Sequence, residues 1–231
     1  MVRVGFIVEG DTEKILIESD RFKAFARNNG VEVCSPVIDA KGGGNLLPQN
    51  IGQSVARLRM ANVVHIVMLT DLETAPDVET VKARIGSLHT HLIFVAVKAI
   101  AAWFLADTQA LRRWLKMEDV FEPAPEATPS MPWDRLKALA DEKGARGPGN
   151  NKPIFARNMC KYHGFDLVQA ALHPSCPSAK LFHDALVRLG NEAYTLVAAL
   201  PDNLKGALPT VEEIESELLG SEGFNDEHQS P

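Results

Sequence analysis

The stretch Val63 to Thr70, VVHIVMLT, is nearly continuous apolar sequence and constrains the fold more than any other segment. A strand apolar throughout must be covered on both faces, as in a parallel sheet flanked by helices. Val2 to Val8 is another short apolar run, ended by Gly10. Val31 to Ile38 is rich in β-branched residues, and Leu92 to Val97 makes a fourth strand. Between these runs lie helical stretches. One begins at Asp11 or Thr12, either of which can cap it, and stops at Asn29-Gly30. A second runs from about Leu46 to Met60, after a flexible loop Lys41-Gly42-Gly43-Gly44-Asn45, and a third from Asp77 to about Leu88. The order β-α-β-α-β-α-β predicts an α/β fold with a mostly parallel sheet and helices on both faces. In such sheets, sites form beyond the carboxyl ends of the strands.

A helix carrying Trp103, Leu111 and Trp114 closes this half. Pro123, Pro125, Pro129 and Pro132 follow and mark a linker or an irregular excursion. The expected organisation is an α/β domain over 1–117, a proline-rich linker over 118–133, a helical region over 134–220 and a disordered acidic tail over 221–231. The helical region is read as segments 133–143, 154–161, 165–172, 178–200 and 211–219. Cys34, Cys160 and Cys176 form no C-x-x-C pair, which argues against a zinc knuckle or a disulfide scaffold. No apolar run is long enough to span a bilayer, and the chain runs from Met1 straight into the first strand, so the expectation is a cytoplasmic protein with no membrane partner.

The acids fall at the strand ends. Glu9 follows the first strand, with Gly10 behind it permitting close backbone approach, and Glu13 lies in the first turn of the next helix. Asp71 and Glu73 follow the third strand, and alternation puts residues two apart on one side while the chain stays extended. Adjacent parallel strands bring these four carboxylates together, and like charges that close are costly without a cation. Hard oxygen donors favour Mg²⁺ or Mn²⁺. Simpler roles exist: the helix macrodipole alone favours Glu13, and Asp71 can open a turn before Pro76.

Val8-Glu9-Gly10-Asp11-Thr12-Glu13 resembles the E-G-x-[ST]-E signature of Toprim domains of the overcoming-lysogenization-defect nuclease type, and Asp71-Leu72-Glu73 looks like their D-x-D element. Ala101-Ala102-Trp103-Phe104-Leu105-Ala106-Asp107 is similar to the E-x-W-L-L-A-D segment of a bacterial Toprim-like family of unknown function. Ser175-Cys176-Pro177-Ser178 resembles that family's C-terminal C-P-S-F stretch. The family includes the effector nuclease of PARIS anti-phage systems, which is held by an ABC-type ATPase. The resemblance implies a Toprim-like fold and metal-dependent phosphodiester cleavage of nucleic acid. It implies Glu9, Glu13, Asp71 and Glu73 as metal ligands, with Glu9 and Asp71 catalytic. Two positions depart from the pattern: Glu73 is one methylene longer than the aspartate of D-x-D, and Ala101 stands where the family carries an acid.

The net charge of −6 argues against a protein that coats nucleic acid nonspecifically, yet not against an enzyme acting on it. Lys152, Arg157 and Lys161 lie in a locally basic stretch that is either a phosphate-backbone contact or a solvated helix face. Lys41 with its three glycines is either a phosphate cradle or a plain connector. Expected partners are a DNA or RNA substrate, an ABC-type ATPase and a second copy in a homodimer. The alternative is a non-catalytic Toprim-fold protein that binds an ATPase or nucleic acid.

Overall fold

The computed structural model describes residues 1–90 and 92–198, within which Met1–Ala193 form one compact unit. The expected helix at 211–219 and the acidic tail at 221–231 lie outside the described residues. Five strands form one parallel sheet: β1 (Val2–Val8), β2 (Val31–Val33), β3 (Ile38–Asp39), β4 (His65–Asp71) and β5 (Leu92–Ala96). The order is β2-β1-β4-β5, with β3 also paired to β1. The strand expected over 31–38 is thus two pieces, β2 against Val2–Val4 and β3 against Ile7 and Val8. Pro36, which has no N–H to give to a ladder, lies in the interruption.

Ten helices are described: α1 (Asp11–Glu18), α2 (Asp20–Asn28), α3 (Gly52–Met60), α4 (Val78–Ile85), α5 (Ala101–Ala106), α6 (Thr108–Leu115), α7 (Pro132–Glu142), α8 (Lys152–Lys161), α9 (Leu167–Ala171) and α10 (Pro177–Ala198). The expected helix over 11–28 breaks at Ser19, whose extended backbone lets its hydroxyl accept from Phe22 N–H at 3.3 Å and cap α2. Asp107 divides α5 from α6 in the same way, accepting from Ala110 N–H at 2.9 Å. Helix α3 starts later than expected: a 3-10 turn occupies Gly43–Leu46, and Leu47, preceding Pro48, is extended.

Alternation along the strands separates two cores. Phe6 and Val8 of β1, Val67 and Leu69 of β4 and Ala96 of β5 face a core completed by Phe22, Trp103 and Phe182. Ile7, Ile66, Met68 and Val95 face the other side, against Leu58 of α3 and Val81 and Ile85 of α4. The continuous apolar run therefore reflects a strand buried on both faces. In the first core Phe182 stacks on Phe22 with ring centroids 6.0 Å apart and meets Trp103 at 5.4 Å.

The proline-rich stretch lies within the compact unit. Its acids are the reason. Glu126 is buried, and one of its oxygens accepts from Ser178 N–H at 2.9 Å, from the Ser178 hydroxyl at 2.5 Å and from the Cys176 thiol at 3.3 Å. The Ser178 oxygen in turn accepts from Trp103 Nε1–H at 2.8 Å. Glu122, also buried, pairs with Arg135 at 2.6 Å. A buried carboxylate left without such partners would be costly, so these bonds hold the stretch against α7 and the start of α10.

Helix α10 crosses the turn after α2 at a glycine. A Cβ at Gly190 would lie 1.6 Å from the Asn29 carbonyl oxygen. Gly190→Ala should therefore destabilise the protein by about 1–3 kcal/mol, as overpacking does, although alanine is the better helix former by about 1 kcal/mol. Urea unfolding measures this. A gain in stability would show that the close approach is absent.

Candidate functional site at the ends of β1 and β4

From β1 the chain first adds β2 and β3 on one side, then crosses to β4 on the other, so β1 and β4 flank a topological switch point. Their register pairs Val8 with Leu69. Glu9 continues the ladder by one bond, its N–H donating to Leu69 O at 3.0 Å. Its carboxylate reaches across to β4, where Oε2 accepts from the Thr70 hydroxyl and from Asp71 N–H, the latter at 3.0 Å. Asp71, the last residue of β4, accepts through Oδ1 from Ile100 N–H at 2.7 Å, just ahead of α5. Glu13 is only 4% exposed, and its Oε2 accepts from Gly10 N–H at 3.0 Å. A Cβ at Gly10 would stand 3.3 Å from that oxygen, so the glycine leaves room for the buried carboxylate.

Glu73 departs from expectation. Extended alternation does not carry it onto the side of Asp71, because β4 ends at Asp71 and Glu73 has φ +49°. Its N–H donates to Lys98 O at 2.7 Å, and Lys98 has φ +60°. Two non-glycine residues in the left-handed region, bonded to each other beside the acids, are backbone strain concentrated at this end of the sheet. Glu73 still lines a cleft of roughly 240 Å³ together with Glu9, Gly43, Asp71, Thr74 and Arg84.

Electrostatics ties the acids together. Burial first, then the charges of Glu9 and Asp39, hold the Glu13 carboxyl up to about 7 against the bonds that favour its ionised form. Burial also pushes Asp71 well above the usual carboxylate range, reinforced by Glu13, Glu9 and Glu73. Each of Glu9, Glu13 and Asp71 has one oxygen held by a backbone N–H. The set suits a hard divalent cation in charge and donor type, since such an ion would relieve the mutual repulsion. Among the described residues no three His, Cys, Asp or Glu side chains converge closely enough to hold a metal. Coordination by three of these acids therefore requires side-chain rotation.

The expected cations fall elsewhere. Lys41 is engaged within the protein, pairing with Asp39 at 2.5 Å and Asp11 at 3.3 Å. Although burial opposes it, these Lys41 bonds help lower the Asp39 carboxyl. Lys152 opens α8, while Arg157 and Lys161 stand roughly 140° and 180° around the helix from it. Arg157 and Lys161 line a groove with Glu18, Asp20 and Arg21 instead. The three cations do not share one face, because their spacing does not match the helical repeat. Three groups escaped the sequence reading: Thr70, the Ile100 N–H and Arg84. Arg84 sits in the last turn of α4, where the helix dipole alone accounts for a cation, so nothing in the sequence marks it.

Glu13 sets a pH dependence in metal-free protein. Its folded pKa lies above its ordinary value of 4.5, so the folded state binds more protons between 4.5 and about 7. Stability from this group is thus full below that window and is lost as pH rises through it. Glu13→Gln keeps an acceptor for Gly10 N–H and removes the charge. Above neutrality, in EDTA, it should stabilise by on the order of 3 kcal/mol and flatten the fall of the urea midpoint with pH. A midpoint that still falls as steeply would place the proton elsewhere.

Comparison with protein-family models, with curated proteins and with solved structures finds no match. The functional reading rests on the strand-end carboxylates themselves.

Proposed function

We propose that this chain is a metal-dependent, Toprim-type nuclease that hydrolyses phosphodiester bonds in nucleic acid. The observation that carries the reading is the placement of Glu9, Glu13 and Asp71 around the switch point, near enough that burial and then their neighbours' charges raise Glu13 and Asp71. Such perturbation at Asp71, which lines the cleft, is what a functional acid shows. Glu9, Glu13, Asp71 and Glu73 would hold Mg²⁺ or Mn²⁺, which would supply neutralisation of charge on the scissile phosphate. Glu9 is held through Oε2 and keeps Oε1 toward the cleft, which suits it to accept a proton from the attacking water. Thr70 and Asp71 N–H keep it in that pose. The motif resemblance adds a role as an anti-phage effector held by an ABC-type ATPase.

One observation favours a second reading, a non-catalytic protein of the same fold that binds an ATPase or nucleic acid. Ala101, where the family that the motifs resemble carries an acid, is buried and directly follows the Ile100 N–H that holds Asp71.

Two measurements separate the readings. Mn²⁺ should raise the thermal midpoint, worth about 2.7 kcal/mol at a hundredfold excess over Kd, and Glu9→Gln with Asp71→Asn should abolish the rise. Metal binding alone fits both readings, so turnover decides. With Mn²⁺, and with an ABC-type ATPase of the kind the motif resemblance implies present and triggered, plasmid DNA or cellular RNA should be cut, and Glu9→Ala should remove the cutting. Ala101→Glu restores the acid that the resembled family carries there and should lower the Mn²⁺ concentration needed. Silence from both wild type and Ala101→Glu would leave the binding protein as the better account.

A further inference from the structure

Resting on the nuclease reading, we infer that Arg84 is the phosphate-binding residue of the cleft, receiving the substrate backbone across the glycine turn beside Glu9. The placement is specific. A Cβ at Gly43 would lie 3.3 Å from Glu9 Oε1 and 3.8 Å from an Arg84 guanidinium nitrogen, so both groups border the same point. Gly44 beyond it has nothing within 4 Å of its own notional Cβ, which leaves that side of the cleft open. Glu9, Asp71 and Glu73 line the cleft with Arg84, yet among the described residues no ion pair or hydrogen bond engages its guanidinium. The helix dipole explains a cation in the last turn of α4 but not where it points. Lys82, in the same turn, pairs with Glu79 at 3.0 Å along the helix, whereas Arg84 turns to the cleft.

The chemistry fits a phosphodiester. A guanidinium offers a rigid fork that meets two phosphate oxygens at once. An all-carboxylate cleft repels a polyanion, and a single unpaired cation on its rim provides the attraction that the acids lack. Lys41 cannot supply it while paired with Asp39 and Asp11. Gly43 is part of the same device, since a side chain there would fill the space between Glu9 and Arg84. Its backbone is not in the left-handed region, so Gly43→Ala tests that space without backbone strain.

The experiment is equilibrium binding of the full chain to a short fluorescein-labelled DNA duplex, and to RNA of the same sequence, in Ca²⁺ over a series of salt concentrations. Binding is read without turnover, so a failure of the nuclease reading is seen separately in the cleavage assay. Arg84→Ala should weaken binding about tenfold or more and reduce the slope of log K against log salt by about one. Arg84→Lys should keep the wild-type slope while recovering only part of the affinity, because lysine is a point charge without the fork. Gly43→Ala should weaken binding with the slope unchanged. Arg84 is exposed, so the unfolding midpoint of Arg84→Ala should match wild type. Wild-type affinity and slope in Arg84→Ala would overturn the inference. Failure of the wild type to bind either probe would overturn it together with the reading on which it rests.

Discussion

The parallel pairing of β1 with β4 determines where every group of the site stands. Val8 opposite Leu69 brings the residue after β1 level with the last residues of β4, so Glu9 meets Thr70 and Asp71 without a loop having to carry it there. Helices cover both faces of the two strands, which is why β4 is apolar from Ile66 to Leu69 and polar chemistry begins at Thr70. A carboxylate bonded to one backbone N–H and one hydroxyl of the neighbouring strand is oriented by the sheet itself. That orientation comes at an electrostatic cost: in the absence of a cation, the buried acids repel one another and hold protons.

A second layer of contacts keeps the end of β5 in register with this arrangement. Ile100 N–H holds Asp71, and Trp103 one turn later is anchored by its indole N–H on Ser178, which Glu126 holds in turn. Lys98, strained at φ +60°, donates to Ser130 O at 3.1 Å while its own carbonyl accepts from Glu73. The proline-rich stretch thus acts through buried polar bonds on the segment that positions the acids. The Trp103 and Ser178 motif segments, far apart in sequence, meet in this one network.

Much of this was legible in the sequence because it follows from periodicity. The bounds of β1 are those read from Val2 to Val8, and the strand ends named Glu9 and Asp71 as neighbours before any coordinates. Local chemistry that competes with periodicity was less visible. Ser19 and Asp107 sit inside helical patterns, and their capping bonds break one helix into two. Prolines between 118 and 133 suggested a linker or an irregular excursion, since a sequence does not reveal that Glu122 and Glu126 will find buried donors. Glu73 was placed by extending a strand that stops two residues earlier. Arg84 required tertiary placement, because its neighbour Gly43 lies 41 positions away in the chain.

The central claim is that the acids at the switch point form one cation site. Anomalous diffraction from crystals soaked in Mn²⁺ tests it most directly, since the signal locates the ion irrespective of substrate, partner or activity. The account predicts an anomalous peak within coordination distance of Glu9 and Asp71, with Glu13 or Glu73 rotated to complete the shell. A peak bound elsewhere, or an unoccupied cleft at saturating Mn²⁺ with Glu13 and Asp71 in their metal-free positions, would contradict it.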